Sequence, residues 1–225
     1  MSSEFGRQLD DAEHEWRTGF ERGPTRTRWT VLPVQVGDPA PDVTLQDHMG
    51  NSRTLSEFWT GDPALILFWR QFGCGCGVER AARLKEEIAA YVDAGASVVI
   101  VGQGEPVRAA AYVKEHGISC PILCDVELKT YVDYGLLEGI PTQVFYDASP
   151  ELIRRDPEAG AELAETRHQS GRPLVDNGWQ LPGEFIVDSD GVIQLAYRYQ
   201  YCEDFPDPRV HTTTLREIAR HQSES

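Results

Sequence analysis

The chain has 225 residues, 40% of them hydrophobic, and its 36 acidic against 21 basic side chains give a formal charge of −15. That length and apolar content allow one sizeable α/β domain with decorations and exclude a disordered or low-complexity chain. An anionic surface repels phosphate backbones and anionic lipid, so nucleic-acid and peripheral-membrane roles are set aside.

The N-terminal stretch MSSEFGRQLDDAEHEW is polar and acidic. It lacks the apolar core of a signal peptide, so a cytoplasmic location is expected. Residues 1–36 read as an extension. A helix over 3–20 would place Phe5, Leu9, Ala12, Trp16 and Phe20 on one side, and Gly23-Pro24 breaks it. Such an arm packs on the body of the domain or on a second subunit of a homodimer.

From residue 37 to 222 the pattern is that of one domain. Val43-Thr-Leu45 is a short strand before a polar turn at 48–51. Ala64-Leu-Ile-Leu-Phe-Trp69, the longest purely apolar run, suits a buried strand and is far too short to span a bilayer. A helix over 78–94 is expected from Val78, Ala81, Leu84, Ile88, Tyr91 and Val92, with Gly95 capping its end. Residues 97–101 form the next strand. Pro106 opens a helix that Gly117 closes, and a strand over 121–124 and a helix over 126–134 follow. Residues 139–180 interrupt the rhythm as an insertion, with a strand expected over 143–146 and a helix over 157–169. A hairpin over 184–199, turning at Asp188-Ser-Asp-Gly191, and a helix over 210–220 complete the domain.

Five cysteines in a reducing compartment are usually core residues, metal ligands or catalytic thiols, seldom structural bridges. Cys74 and Cys76 stand between the buried strand and the helix that follows it. Unpaired backbone N–H groups and the positive end of the dipole favour a thiolate there, and can lower a thiol pKa from ~8.5 to roughly 3.5–7.5. Arg70 and Arg80 lie close enough in sequence to add positive charge. Gly73, Gly75 and Gly77 flank and separate the cysteines, and supply the backbone freedom that a Cys-Gly-Cys ring requires. A bridge this tight is strained and readily reduced, as a catalytic disulfide should be. A closed zinc site needs four ligands, and only Cys120, Cys124 and scattered histidines remain to complete one, so no metal is assigned. With no His-x-x-x-His spacing and no histidine beside the cysteines, a Cys–His hydrolase is set aside.

Several segments resemble the peroxiredoxin-like branch of the thioredoxin superfamily, related to the alkyl hydroperoxide reductase and thiol-specific antioxidant (AhpC/TSA) proteins. They are Gly37-Asp-Pro-Ala-Pro-Asp42, Phe68-Trp-Arg-Gln-Phe-Gly-Cys74, Cys120-Pro-Ile-Leu-Cys-Asp125 and Leu181-Pro-Gly-Glu-Phe-Ile-Val-Asp188. The resemblance implies a thioredoxin-like fold, with a central mixed β-sheet flanked by helices and an insertion before the final hairpin. It also implies a thiol–disulfide oxidoreductase in which Cys74 matches the attacking cysteine and Cys76 the resolving one, with the reverse assignment left open because Cys76 lies closer to the helix start. A thiol reductant such as thioredoxin or glutathione then restores the dithiol, and no bound cofactor is required. The substrate is a disulfide or a peroxide. Members that reduce peroxides resemble one another in Pro-x-x-x-Thr/Ser-x-x-Cys. Here those places hold Leu67 and Gln71 counted from Cys74, or Trp69 and Gly73 counted from Cys76. The positioning hydroxyl is absent in both registers, so a peroxidase acting on hydroperoxides or endoperoxides is the alternative rather than the first reading. A non-enzymatic binding or metal-handling module on the same scaffold is the third.

The resemblance further suggests a cis-proline facing the cysteines. Of Pro141 and Pro182, the second is followed by strand, turn, strand and helix, and is chosen. Arg198 on the hairpin is a candidate for the site. Cys120 and Cys124 read as buried structural residues and Cys202 as incidental.

Overall fold

A computed structural model of the chain describes residues 18–72, 74–144 and 176–224, together with His14. Most of the helix expected over 3–20, and all of that expected over 157–169, lie outside the described residues. The central strand is β3 (Ala64–Phe68), whose fully apolar sequence is buried along its length. It pairs in parallel with β4 (Ser97–Gly102) and antiparallel with β6 (Gly183–Val187). Beyond β4 lie the parallel β5 (Ile122–Cys124) and the antiparallel β1 (Thr44–Asp47) and β2 (Ser52–Thr54). Beyond β6 lies β7 (Ile193–Arg198), and the seven-stranded order is β2-β1-β5-β4-β3-β6-β7. This is the mixed sheet of a thioredoxin-like fold.

The two-residue period of β3 sorts the core into two layers. Leu65 and Leu67 point to the face covered by α1 (Gly75–Asp93), α2 (Pro106–His116) and α5 (Pro208–Glu224), where Leu84, Tyr91, Ile100, Tyr112 and Leu215 meet them. Ile66 and Phe68 point to the opposite face, against Phe58, Tyr131, Tyr134 and Phe185; Tyr131 comes from the short α3 (Lys129–Asp133). Fully burying each such side chain is worth about 1.5–3 kcal/mol, so β3 is the strand on which both layers depend. Gly117 closes α2 in the left-handed conformation expected of it, with φ 63°.

The insertion departs from expectation at its start. Residues 141–144 form the helical turn α4 (Pro141–Val144) rather than the beginning of a strand, because Pro141 has no N–H to give a ladder and has its φ preset for a helix. The Leu181–Pro182 bond corrects a second expectation: among the described residues no peptide bond is cis. Trans is the favoured X–Pro isomer. It leads straight into β6, whose pairing to β3 and β7 begins at the very next residue, Gly183.

Candidate active site

The site forms where β3 runs out. Trp69 still donates its N–H to Val101 O at 2.9 Å, and the chain then turns away from the sheet. Phe72 folds back over β4 at Gly102, where an added Cβ would stand 2.5 Å from the Phe72 ring. Only glycine allows that approach, and it fixes the path into α1.

Helix α1 begins at Gly75, three residues before the apolar periodicity predicts. Cys74 is its N-cap, with φ −77° and ψ 152°, and its sulfur accepts the Gly77 N–H at 3.1 Å. The thiol therefore does what a serine or aspartate oxygen does at other helix starts. Val78, counted as the first core residue of the helix, is exposed; the buried face is Cys76, Gly77, Arg80, Ala81, Leu84 and Tyr91. Cys76 lies inside the first turn with its Sγ 2.8 Å from that of Cys74, and both are unbridged thiols. Neither Gly75 nor Gly77 uses a positive φ. Gly77 is required for space instead: a Cβ there would stand 3.1 Å from Gln71 O, 3.2 Å from Cys74 Sγ and 3.4 Å from the Tyr112 hydroxyl. Gly75 meets nothing within 4 Å, and Gly73 lies outside the described residues.

A third cysteine joins the pair. Cys202, read from sequence as incidental, sits in the same buried cluster with Val144, Trp179 and Leu181, where it interacts with the Cys76 thiol. The turn after β7 brings it there, its N–H donating to Gln143 O at 3.0 Å. Only 8%, 7% and 6% of Cys74, Cys76 and Cys202 are exposed. No sequence spacing points to this contact; the aromatic run Tyr197-Arg-Tyr-Gln-Tyr-Cys202 gives only the hint of a buried setting.

Electrostatics set the three thiols apart. The hydrogen bond with Cys76 and burial push Cys74 up, against Arg70 and the Gly77 N–H, so the expected lowering at the helix start does not appear. The hydrogen bond to Cys202 pushes Cys76 up to about 11. Cys202 is lowered, first by the hydrogen bond from Cys76 and then by Arg70, against burial. Arg70 is thus the cation of the site, buried beside it with Nη2 donating to Gly178 O. Arg80 is not: it is turned to Glu184 at 2.9 Å and Glu87 at 2.8 Å. Arg198 donates to Tyr134 O at 3.0 Å and Val34 O at 2.6 Å, with its guanidinium over Phe185, and so ties down the N-terminal segment. Cys120 and Cys124 belong to the helix-side core, where burial pushes both up to about 12.

A strap over residues 176–181 covers the thiols. Asp176 is held by Arg108, Nη1 donating to Oδ1 at 2.7 Å and Nη2 to Oδ2. Asn177 donates its N–H to Gln103 at 2.6 Å and its side chain to Glu138 at 2.9 Å. Trp179 stacks on Phe20, with centroids 4.8 Å apart, and donates to its carbonyl, so the N-terminal segment closes over the strap. Pro182 follows, its carbonyl accepting from Tyr199 N–H at 3.2 Å.

From the helix side Tyr112 reaches toward Cys74. Its ring packs on Trp69 and Phe72. Its hydroxyl is buried, has no hydrogen-bond partner among the described residues, and is pushed up by burial and by the charges of Cys74 and Cys76. An orphan hydroxyl beside a buried thiol is unusual, since buried hydroxyls almost always find a partner.

The family model described as AhpC/TSA family matches residues 36–196. Thioredoxin-like protein AAED1, chloroplastic, of Arabidopsis thaliana is 22% identical over 175 residues, covering 78% of this chain and 70% of that protein. Peroxiredoxin Q, chloroplastic, of Populus jackii is 22% identical over 170 residues, covering 75% of this chain; the chain spans only 62% of that relative's length. Among solved structures, peroxidoxin BcpB from Mycobacterium tuberculosis has TM-score 0.56 at 15% identity, with coverage of 84% and 97%. The resemblance read from the sequence is borne out, and with it a thiol-dependent oxidoreductase at the level of the family.

Proposed function

The chain belongs to the AhpC/TSA family, and on that premise we propose that Cys74 attacks an oxidised substrate and Cys76 resolves the product. The resulting Cys74–Cys76 disulfide is returned to the dithiol by an external thiol reductant such as thioredoxin or glutathione. The observation that carries this reading is the Sγ–Sγ separation of 2.8 Å, with Cys74 as the capping thiol under the Gly77 N–H. Cys74 accepts that bond at the end of the helix dipole, so charge developing on its sulfur is stabilised there.

Two observations favour a peroxide over a protein disulfide as the substrate. The thiols lie beneath the strap and Trp179, where a peroxide reaches them with little displacement, whereas a protein partner, thioredoxin included, needs the strap to open. The Tyr112 hydroxyl supplies the donor that the missing Thr or Ser does not. In the peroxidase step the Cys74 thiolate attacks one peroxide oxygen, the O–O bond breaks, and the leaving alkoxide or hydroxide takes a proton. Cys76 then displaces water from the Cys74 sulfenic acid.

Turnover assays with thioredoxin or glutathione test the reading, with hydrogen peroxide, cumene hydroperoxide or a disulfide as oxidant. Cys74→Ser should abolish turnover with each accepted oxidant, and Cys76→Ser should stop at one equivalent with Cys74 oxidised. Full turnover by Cys74→Ser would overturn it.

A further inference from the structure

We propose that Cys202 is a third redox thiol, which attacks the Cys76 sulfur of the Cys74–Cys76 disulfide. The Cys76–Cys202 bond forms as the Cys74–Cys76 bond breaks, and the electron pair leaves on Cys74 as thiolate. The exchange is internal and needs no further oxidant or reductant; the oxidation passes from Cys74 to Cys202 while Cys76 stays bridged. It rests on the reading of Cys74 and Cys76 given above.

Three observations carry it. Cys76 is the middle thiol, its sulfur 2.8 Å from Cys74 Sγ and interacting with the Cys202 thiol in the same buried cluster, so it is the one sulfur able to change partner. Cys202 is held in position: Gln143 O takes its backbone N–H, and Asp204 braces its turn by accepting from Tyr197 at 2.9 Å and Gln200 at 2.8 Å. Arg70 also favours the Cys202 thiolate, and it does so whether or not Cys76 is bridged; the thiolate is the form that attacks a disulfide.

Helix geometry gives the direction. A disulfide is about 2 Å long, so closing the pair from 2.8 Å draws the Cys74 sulfur off the Gly77 N–H in the first turn. Moving the bond to Cys202, on a separate element, releases that turn and returns Cys74 to its place under Gly77.

The test is time-resolved peptide mapping of the wild-type chain after one equivalent of hydrogen peroxide, quenched in acid, unfolded and alkylated. The expected result is a Cys74–Cys76 disulfide first, replaced by Cys76–Cys202 as Cys74 becomes alkylatable again and able to consume a second equivalent. In Cys202→Ser the first disulfide should persist. If Cys74–Cys76 persists in the wild type while Cys202 stays alkylatable, or if Cys202 bridges Cys74 directly, the relay is overturned and the two-cysteine reading stands. If Cys74 and Cys76 never bridge, that reading fails and the relay fails with it.

Discussion

Gly77 donates its backbone N–H to the Cys74 sulfur at 3.1 Å, and its lack of a side chain keeps open the gap between that sulfur and the Tyr112 hydroxyl. Alanine at 77 is a better helix former by about 1 kcal/mol, yet its methyl would press on Cys74 Sγ, Gln71 O and Tyr112. Gly77→Ala should therefore remain folded, while Cys74 oxidation slows by about 10- to 100-fold as the sulfur is displaced. Stopped-flow peroxide oxidation alongside thermal melting measures both.

Tyr112→Phe keeps the ring that packs on Trp69 and Phe72 and removes only the orphan hydroxyl. Stability should hold or rise slightly, since an unpaired buried donor is lost. If the hydroxyl donates to a peroxide oxygen, oxidation by peroxide should slow roughly tenfold or more, while reaction with a small disulfide is unchanged. Equal slowing with both oxidants would assign Tyr112 to packing alone.

The Arg108–Asp176 pair has both side chains shielded from solvent and fastens the strap that carries Trp179. Breaking one partner of such a pair costs about 3–5 kcal/mol. Asp176→Asn should lower stability and also make local opening easier. Labelling of Cys74, Cys76 and Cys202 by a bulky maleimide under native conditions should rise by at least about tenfold. Unchanged labelling would show that the strap does not guard the thiols.

Behind the site Glu184 is buried on β6, contacting Arg80 at 2.9 Å, His211 at 2.7 Å and Tyr199 at 2.5 Å. Burial works to raise its pKa, but Arg80, His211 and Tyr199 hold it down at about 2 against an ordinary 4.5. Because the folded pKa is the lower one, this stabilisation is complete above about pH 4.5 and is lost as pH falls toward 2, amounting to roughly 3 kcal/mol. Urea unfolding between pH 2 and 5 should show that slope in the wild type, and Glu184→Gln should flatten it.

The parts of this fold that rest on local pattern are legible in the sequence. The runs at 64–69 and 97–101, the Pro106-to-Gly117 helix and the hairpin around Asp188–Gly191 all stand where their periodicity and turn residues put them. What escapes the sequence depends on contacts across the chain. Cys202 reaches Cys76 only because β7 runs beside β6 and the following turn folds over α1. Tyr112 looks like any core tyrosine until its hydroxyl is found without a partner. Arg80 lies as near the cysteines in sequence as Arg70 does, and only the position of Glu184 across the core decides which of the two arginines serves the thiols. The start of α1 is hidden for a chemical reason, since cysteine is not among the residues that normally cap a helix.

The account stands on the bond between Cys74 and Cys76, and the most direct measurement is mass analysis of the chain unfolded and alkylated after one equivalent of hydrogen peroxide, at the earliest quench time. The account predicts the loss of two protons, with Cys74 and Cys76 joined and Cys120, Cys124 and Cys202 all alkylated. A first bridge that leaves out Cys74, or oxidant consumed with both Cys74 and Cys76 still alkylatable, would contradict it.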